Sequence, residues 1–156
     1  MLLKALQEAD FKVKCLSTVP TIGTNVLHLV PSNSKKSKIT IQEIGGEMES
    51  IWYQYFNNCT ALIYVIDSSD LAKIGQNTLN LIKILKHHLV KEIKPVHIVL
   101  TKIDQMSCLS INELVYRALF LDDIINSFSC NSITVTGCSS FTGEGIETVF
   151  NWIQEL

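Results

Sequence analysis

The sequence predicts an α/β fold, with a mainly parallel sheet covered by helices on both faces. Two observations carry that expectation. First, three apolar runs end in polar residues: "ALIYVID" (61–67), "PVHIVLTKID" (95–104) and the shorter "SITVTG" (132–137). Continuous apolar runs of this length suit strands buried on both faces. Second, stretches of helical periodicity separate and follow them. In 71–94, Ile74, Leu81, Ile82, Leu85, Leu89 and Ile93 share one stripe. "INELVYRALF" (111–120) is amphipathic, and in 144–156 Ile146, Val149, Phe150 and Ile153 fall at i, i+3, i+4 and i+7. Helices alternating with buried strands imply a parallel sheet packed on both sides.

The remaining elements follow in order. The chain opens on "MLLKALQ", where Leu2, Leu3 and Leu6 form an apolar stripe and Lys4 and Gln7 lie off it. A helix is expected there, with nothing ahead of Met1 to cap it. "TNVLHLV" (24–30) and "KITIQEI" (38–44) alternate or run apolar around the basic stretch "SNSKKSK" (32–38), which predicts a hairpin with a solvated loop. His87 and His88 are adjacent, so they cannot share one helix face as metal ligands, and a solvated helix end is expected.

Bulk properties narrow the function classes. A chain of 156 residues, 47% hydrophobic and 18% charged, is large and apolar enough to bury a core. A net charge of -2 gives no electrostatic case for nucleic acid. Cys15, Cys59, Cys108, Cys130 and Cys138 are odd in number and never at CxxC spacing, which argues against a disulfide framework or a zinc site and for a reducing compartment. No signal peptide or spanning run is evident, and no Gly follows Met1 for myristoylation. The expectation is a cytoplasmic monomer without a direct membrane anchor.

In parallel α/β sheets, ligands sit at the carboxyl ends of the strands. Polar residues just after the apolar runs are therefore the ones to weigh. The second run leads to Thr101-Lys102-x-Asp104. An aspartate there can accept two hydrogen bonds from adjacent N–H groups of a base edge, which guanine presents and adenine does not. The lysine stem can lie along the ring while its ammonium stays solvated. After the third run come Ser139 and Ser140, then a Gly-rich turn; an N–H near Ser140 could reach a guanine O6, although a plain turn explains the glycines equally well. In "IQEIGGEMESIW", Gly45-Gly46 permits close approach. Gly46 could offer an N–H to a phosphate oxygen and Glu43 could hold a water on Mg²⁺; a simple turn is the competing reading. In "TVPTIGTNV", Thr21 offers a hydroxyl to the same ion.

Together these motifs resemble the Ras-like small GTPases, and within them the ADP-ribosylation factor group. "TVPTIGTNV" resembles that group's first switch. "EIGGE…IWYQYFNNCTALIYVIDSSD" resembles its second switch and following strand. "TKID" resembles the base-reading N/T-K-x-D, and "CSSFTGEGIETVFNWI" the last loop and helix. The resemblance covers nearly the whole chain as one G domain, residues 1–156. It implies a P-loop NTPase-like fold binding GTP or GDP with Mg²⁺. Thr21 would bind the metal, Glu43 would reach it through water, and Gly46 would donate to the γ-phosphate. Thr101, Lys102, Asp104, Ser139 and Ser140 would form the guanine site. Effectors and regulators would meet residues 21–30 and 45–55. The implied function is an Arf-like switch in membrane traffic, or in ciliary or cytoplasmic regulation.

Three departures qualify the resemblance. No G-x-x-x-x-G-K-[ST] occurs in the 156 residues. "MLLKALQ" looks like the family's first helix starting just after that loop, so the first strand and phosphate loop are expected to be absent. N-terminal truncation through an artefact of gene definition is one account, and a genuine short form the other. Glu47 stands where most relatives carry Gln. A carboxylate accepts but cannot donate, and its charge repels a γ-phosphate, so hydrolysis is expected to be slow. Thr24 and Gln42 replace two aromatics of the usual partner surface, while Tyr55 remains and Trp52 and Tyr53 lie nearby. The alternative function is a nucleotide-free G-domain-like interaction scaffold. A metabolic enzyme has little support, since neither a Ser/His/Asp nor a Cys/His constellation appears.

Overall fold

The computed structural model describes residues 1–8, 21–29, 38–88, 90, 95–105, 110–113, 119–128 and 132–156. The basic loop at 32–37, Cys15, Cys108, Cys130, Leu89, Ile93, the first residues of "TVPTIGTNV" and residues 114–118 lie outside this set. The strands are β1 (Thr24–Leu29), β2 (Ile39–Ile44), β3 (Leu62–Asp67), β4 (Pro95–Thr101) and β5 (Ser132–Gly137). The α-helices are α1 (Leu2–Ala5), α2 (Ile74–Lys86), the single turn α3 (Ile111–Glu113), α4 (Leu121–Ser127) and α5 (Ile146–Glu155). Gly46–Asn58 is a long 3-10 helix, interrupted by a non-helical Met48.

β4 organises the sheet. It pairs in parallel with β3, from Leu62↔Val96 to Asp67↔Thr101, and with β5, from Pro95↔Ser132 to Leu100↔Gly137. Its residues from Val96 through Leu100 are all buried, which is why the run carries no alternation. Side chains point to opposite faces in turn. Val96, Ile98 and Leu100 join Tyr64, Ile66, Leu81, Leu85, Leu121 and Ile124 in one core. Val99 joins Ala5, Leu6, Ile146, Val149 and Ile153 in the other. Helices α2 and α4 thus cover one face and α1 and α5 the other. Each fully buried Leu or Ile contributes roughly 1.5–3 kcal/mol, so the two faces fix the strand assignment together.

β1 and β2 form the expected antiparallel hairpin, in register from Thr24↔Ile44 to Leu29↔Ile39. Among the described residues the hairpin is a separate two-stranded sheet, with no ladder joining it to β3. Side chains attach it instead: Leu27 and Leu29 enter the core beneath α5.

The structure departs from expectation in two places. The amphipathic stretch 111–120 does not run as helix to its end, since Phe120 takes a left-handed φ of 50° and a separate helix, α4, begins at Leu121. The histidine pair is not simply a solvated helix end. The His87 ring stacks on Tyr53 at 6.1 Å and on His88 at 4.6 Å, and meets Phe56 edge-on at 5.5 Å. The end of α2 is thereby packed against the 3-10 helix.

Candidate functional site

The carboxyl ends of β3, β4 and β5 carry three loops laced by main-chain bonds. The Ser68 N–H donates to the Thr101 carbonyl at 3.0 Å. The Ile103 N–H reaches the Cys138 carbonyl at 3.4 Å, and the Cys138 N–H donates to the Leu100 carbonyl at 2.7 Å. The Thr101 hydroxyl points back into the sheet and donates to the Ile66 carbonyl at 3.0 Å. Lys102 follows with a left-handed φ of 59°, which turns the chain into a 3-10 turn at Ile103–Gln105. Asp104 sits exposed on that turn.

The β5 loop is folded around one side chain. Ser139 is fully buried, and its hydroxyl oxygen accepts the N–H groups of Phe141 and Thr142 at 3.2 and 3.1 Å. The Ser139 N–H donates to the Glu144 carbonyl, the Gly143 N–H to the Ser139 carbonyl, and the Glu144 N–H to the Thr142 hydroxyl. This network uses every N–H from Ser139 to Glu144 except that of Ser140. Gly145 closes the loop at a φ of 70°, where a Cβ would lie 2.0 Å from the Gly137 carbonyl oxygen; only glycine fits there. Cys138, fully buried at the loop's base, has its thiol pKa pushed up to about 12 by burial and is no nucleophile.

A second group forms where the hairpin meets the 3-10 helix. The Gly45 N–H donates to the Gly23 carbonyl at 2.9 Å. A Cβ on Gly45 would sit 2.1 Å from the Thr21 carbonyl oxygen, so these two segments touch backbone to backbone. Gly46 opens the 3-10 helix, where its N–H lacks an intrahelical acceptor. Glu47 is exposed beside it. Glu43 ends β2, and its carboxylate accepts from the Asn25 amide across the hairpin at 2.7 Å. Both groups flank the start of α1. The Met1 amino group, lowered in pKa by its burial, lies within electrostatic reach of Glu43, Lys4 and Lys102.

Side chains hold the 3-10 helix in place. The Trp52 indole donates to the Gly45 carbonyl at 3.0 Å and meets Tyr64 edge-on at 6.3 Å. Glu49 accepts from the buried Asn80 amide at 2.8 Å, and Gln76 fixes that amide's orientation by donating to its oxygen at 2.8 Å. Tyr64, pushed up to about 12 by burial and by the charge of Glu49, donates to the Asn77 carbonyl at 3.1 Å. Thr24 and Gln42 are exposed on the hairpin, Tyr53 is exposed, and Tyr55 is partly buried.

Sequence reasoning passed over Asp67, Ser69 and Asn80. Asp67 pairs with Lys102 at 2.5 Å. The signal was present, since "ALIYVID" ends in an acid as "VLTKID" does, but the partner lies 35 residues away.

The fold class follows from comparison with solved structures. The chain matches the Arl6 BBS3 small GTPase of Trypanosoma brucei, solved with the bound nucleotide analogue GppNp, at a TM-score of 0.75 and 21% identity, over 97% of this chain and 88% of that one. The fold is Ras-like α/β. The sequence matches the ADP-ribosylation factor (Arf) family over residues 1–156, and the chain belongs to that family. It is 35% identical over 137 residues to human ADP-ribosylation factor-like protein 16, covering 88% of this chain and 66% of that protein. It is 30% identical over 140 residues to ADP-ribosylation factor-like protein 5 of Dictyostelium discoideum, covering 88% and 72%. The chain thus spans about two thirds of the human relative's length. Among the described residues no helix is long and apolar enough to cross a membrane.

Proposed function

We propose that this chain is an Arf-like switch that binds guanine nucleotide at the carboxyl ends of β3, β4 and β5. One observation carries the reading. The loop after β5 leaves out a single N–H, that of Ser140, beside the turn that exposes Asp104. Asp104 would accept the guanine N1–H and N2–H groups, and the Ser140 N–H would donate to O6. The Lys102 stem would cover the ring, with Thr101 and Ser139 shaping the two loops. Gly46 would donate to the terminal phosphate. Thr21 and Glu43 offer hard oxygens that suit Mg²⁺, Glu43 through a water, because that ion keeps several waters and is shared with phosphate. Glu47, at the water-positioning place, would make hydrolysis slow. Effectors and regulators would engage residues 21–30 and 45–55, in the cytoplasm, within membrane traffic or ciliary regulation. The chain would act as one G domain over 1–156.

A second reading is a nucleotide-free interaction scaffold. It keeps the G-domain shape as a protein-binding surface, with Tyr53 exposed on the 3-10 helix beside the partly buried Trp52 and Tyr55. Competition against a fluorescent guanosine diphosphate separates the two. On the switch reading, GDP displaces the probe about tenfold or more better than inosine diphosphate, which lacks the 2-amino donor. ADP displaces it poorly. No saturable binding of the probe sinks the switch and leaves the scaffold.

A further inference from the structure

We propose that Asp67 is a positioning residue that orders Lys102 across the base site before a nucleotide arrives; this rests on the guanine-nucleotide reading above. The strand register puts Asp67 opposite Thr101, immediately before the lysine. Each carboxylate oxygen has its own task. Oδ2 takes the Lys102 ammonium at 2.5 Å, while Oδ1 accepts the Ser69 N–H at 3.0 Å and the Ser69 hydroxyl at 2.6 Å. The carboxylate is therefore itself fixed. Partial burial would raise its pKa, but the Lys102 and Ser69 donors outweigh burial and hold it below the ordinary value.

Lys102 is consequently held at both ends. Its backbone is set in a left-handed turn, with its carbonyl accepting the Gln105 N–H at 2.9 Å, and its ammonium is tied to Asp67. A lysine side chain is among the richest in rotamer freedom, and an untethered one must lose that freedom when a ligand covers its stem. Here most of the loss has already occurred. The ion pair is partly open to solvent, 40% for the lysine side chain and 37% for the aspartate. Such pairs add little to folding stability, so a binding effect can be separated from a folding effect.

The test uses the whole chain and the variants Asp67→Asn, Asp67→Glu, Lys102→Ala and Asp67→Asn/Lys102→Ala. Each is titrated with fluorescent GDP, competed with GDP and inosine diphosphate, and melted without ligand. The expected result is an affinity about tenfold weaker for Asp67→Asn, the scale of lost rotamer freedom. Tm should barely move, Asp67→Glu should recover part of the loss, and Asp67→Asn should add nothing once Lys102 is Ala. The GDP-to-inosine ratio should stay unchanged, because the stem covers the face of the base and not its edge. Wild-type affinity in Asp67→Asn overturns the proposal and leaves the nucleotide reading intact. Equal losses with and without Lys102, tracking Tm, also overturn it by making Asp67 merely structural. A wild-type chain that binds no guanine nucleotide overturns both.

Discussion

His97 should make this fold acid-sensitive in a narrow window. The residue is 2% exposed on β4, opposite Thr134 of β5. Its Nδ1 meets the Thr134 hydroxyl at 2.5 Å, its ring lies 4.7 Å from that of Trp152, and its buried Nε2 has no hydrogen-bond partner among the described residues. Burial pushes its pKa down to about 4, against an ordinary value of about 6.5 in the unfolded chain. Between those values the unfolded chain binds a proton that the native state refuses. Stability therefore rises with pH in this range and is lost as pH falls from about 6.5 toward about 4. Between pH 7 and pH 5 the loss from this one group is about 2 kcal/mol, or roughly 4–8 °C in Tm for a chain of this size. Urea unfolding at the two pH values, with Trp152 as one reporter, measures it. His97→Leu should remove that part of the pH dependence, and the exposed Thr134 hydroxyl can turn to water. The reasoning fails if wild type and variant lose equal stability between pH 7 and 5, or if the His97 ring titrates near its ordinary value by NMR. Asp67 does not blur the window. Its pKa is held below the ordinary carboxylate value, so its contribution is lost only at lower pH, as pH falls through that depressed value.

Three further outcomes are expected. Gly145→Ala should destabilise the fold by about 2 kcal/mol or more, because a Cβ there meets the Gly137 carbonyl in a left-handed conformation; denaturant unfolding reads this directly. Asn80→Leu should remove the amide that Glu49 accepts and leave its carboxylate only the 3.5 Å ion pair with Lys83, with a loss of about 1 kcal/mol, and should speed amide exchange across 46–58 more than across β4. In protein loaded with GTP, Glu47→Gln should raise single-turnover hydrolysis, since an amide can donate to and accept from the attacking water; an unchanged rate would show that Glu47 stands elsewhere.

What the sequence disclosed was what is local. β4 announced itself because both its faces are buried from Val96 through Leu100. α5 was legible because Ile146, Val149 and Ile153 repeat on one side and all reach the core. The short stretch after β4 was recognisable because Lys102 and Asp104 sit within three residues. The 3-10 helix was not foreseen. Trp52 and Phe56 are its inward residues, and they are held by Gly45, Tyr64 and His87 rather than by any repeat of their own. α4 was hidden for a related reason. It is short, its first turn carries Asp122 and Asp123, and its buried residues are Leu121 and Ile124, with Ile125 half-buried against the core. The partners of Lys102 and His97 depend on strand register, which no single stretch of sequence encodes.

The 3-10 helix has a mechanical consequence. Runs of this geometry beyond three or four residues are uncommon, because their hydrogen bonds are poorly aligned. Past the break at Met48, residues 49–58 rise about 2.0 Å each, for about 20 Å. Rewound as α-helix, at about 1.5 Å each, they would span about 15 Å. An exchange between the two windings would change the length of the segment by about 5 Å. Trp52 is clipped to Gly45 near one end, and Tyr53 and Phe56 meet the end of α2 farther along. Releasing either clip would let a small rotation at each residue become a displacement as long as one turn of helix.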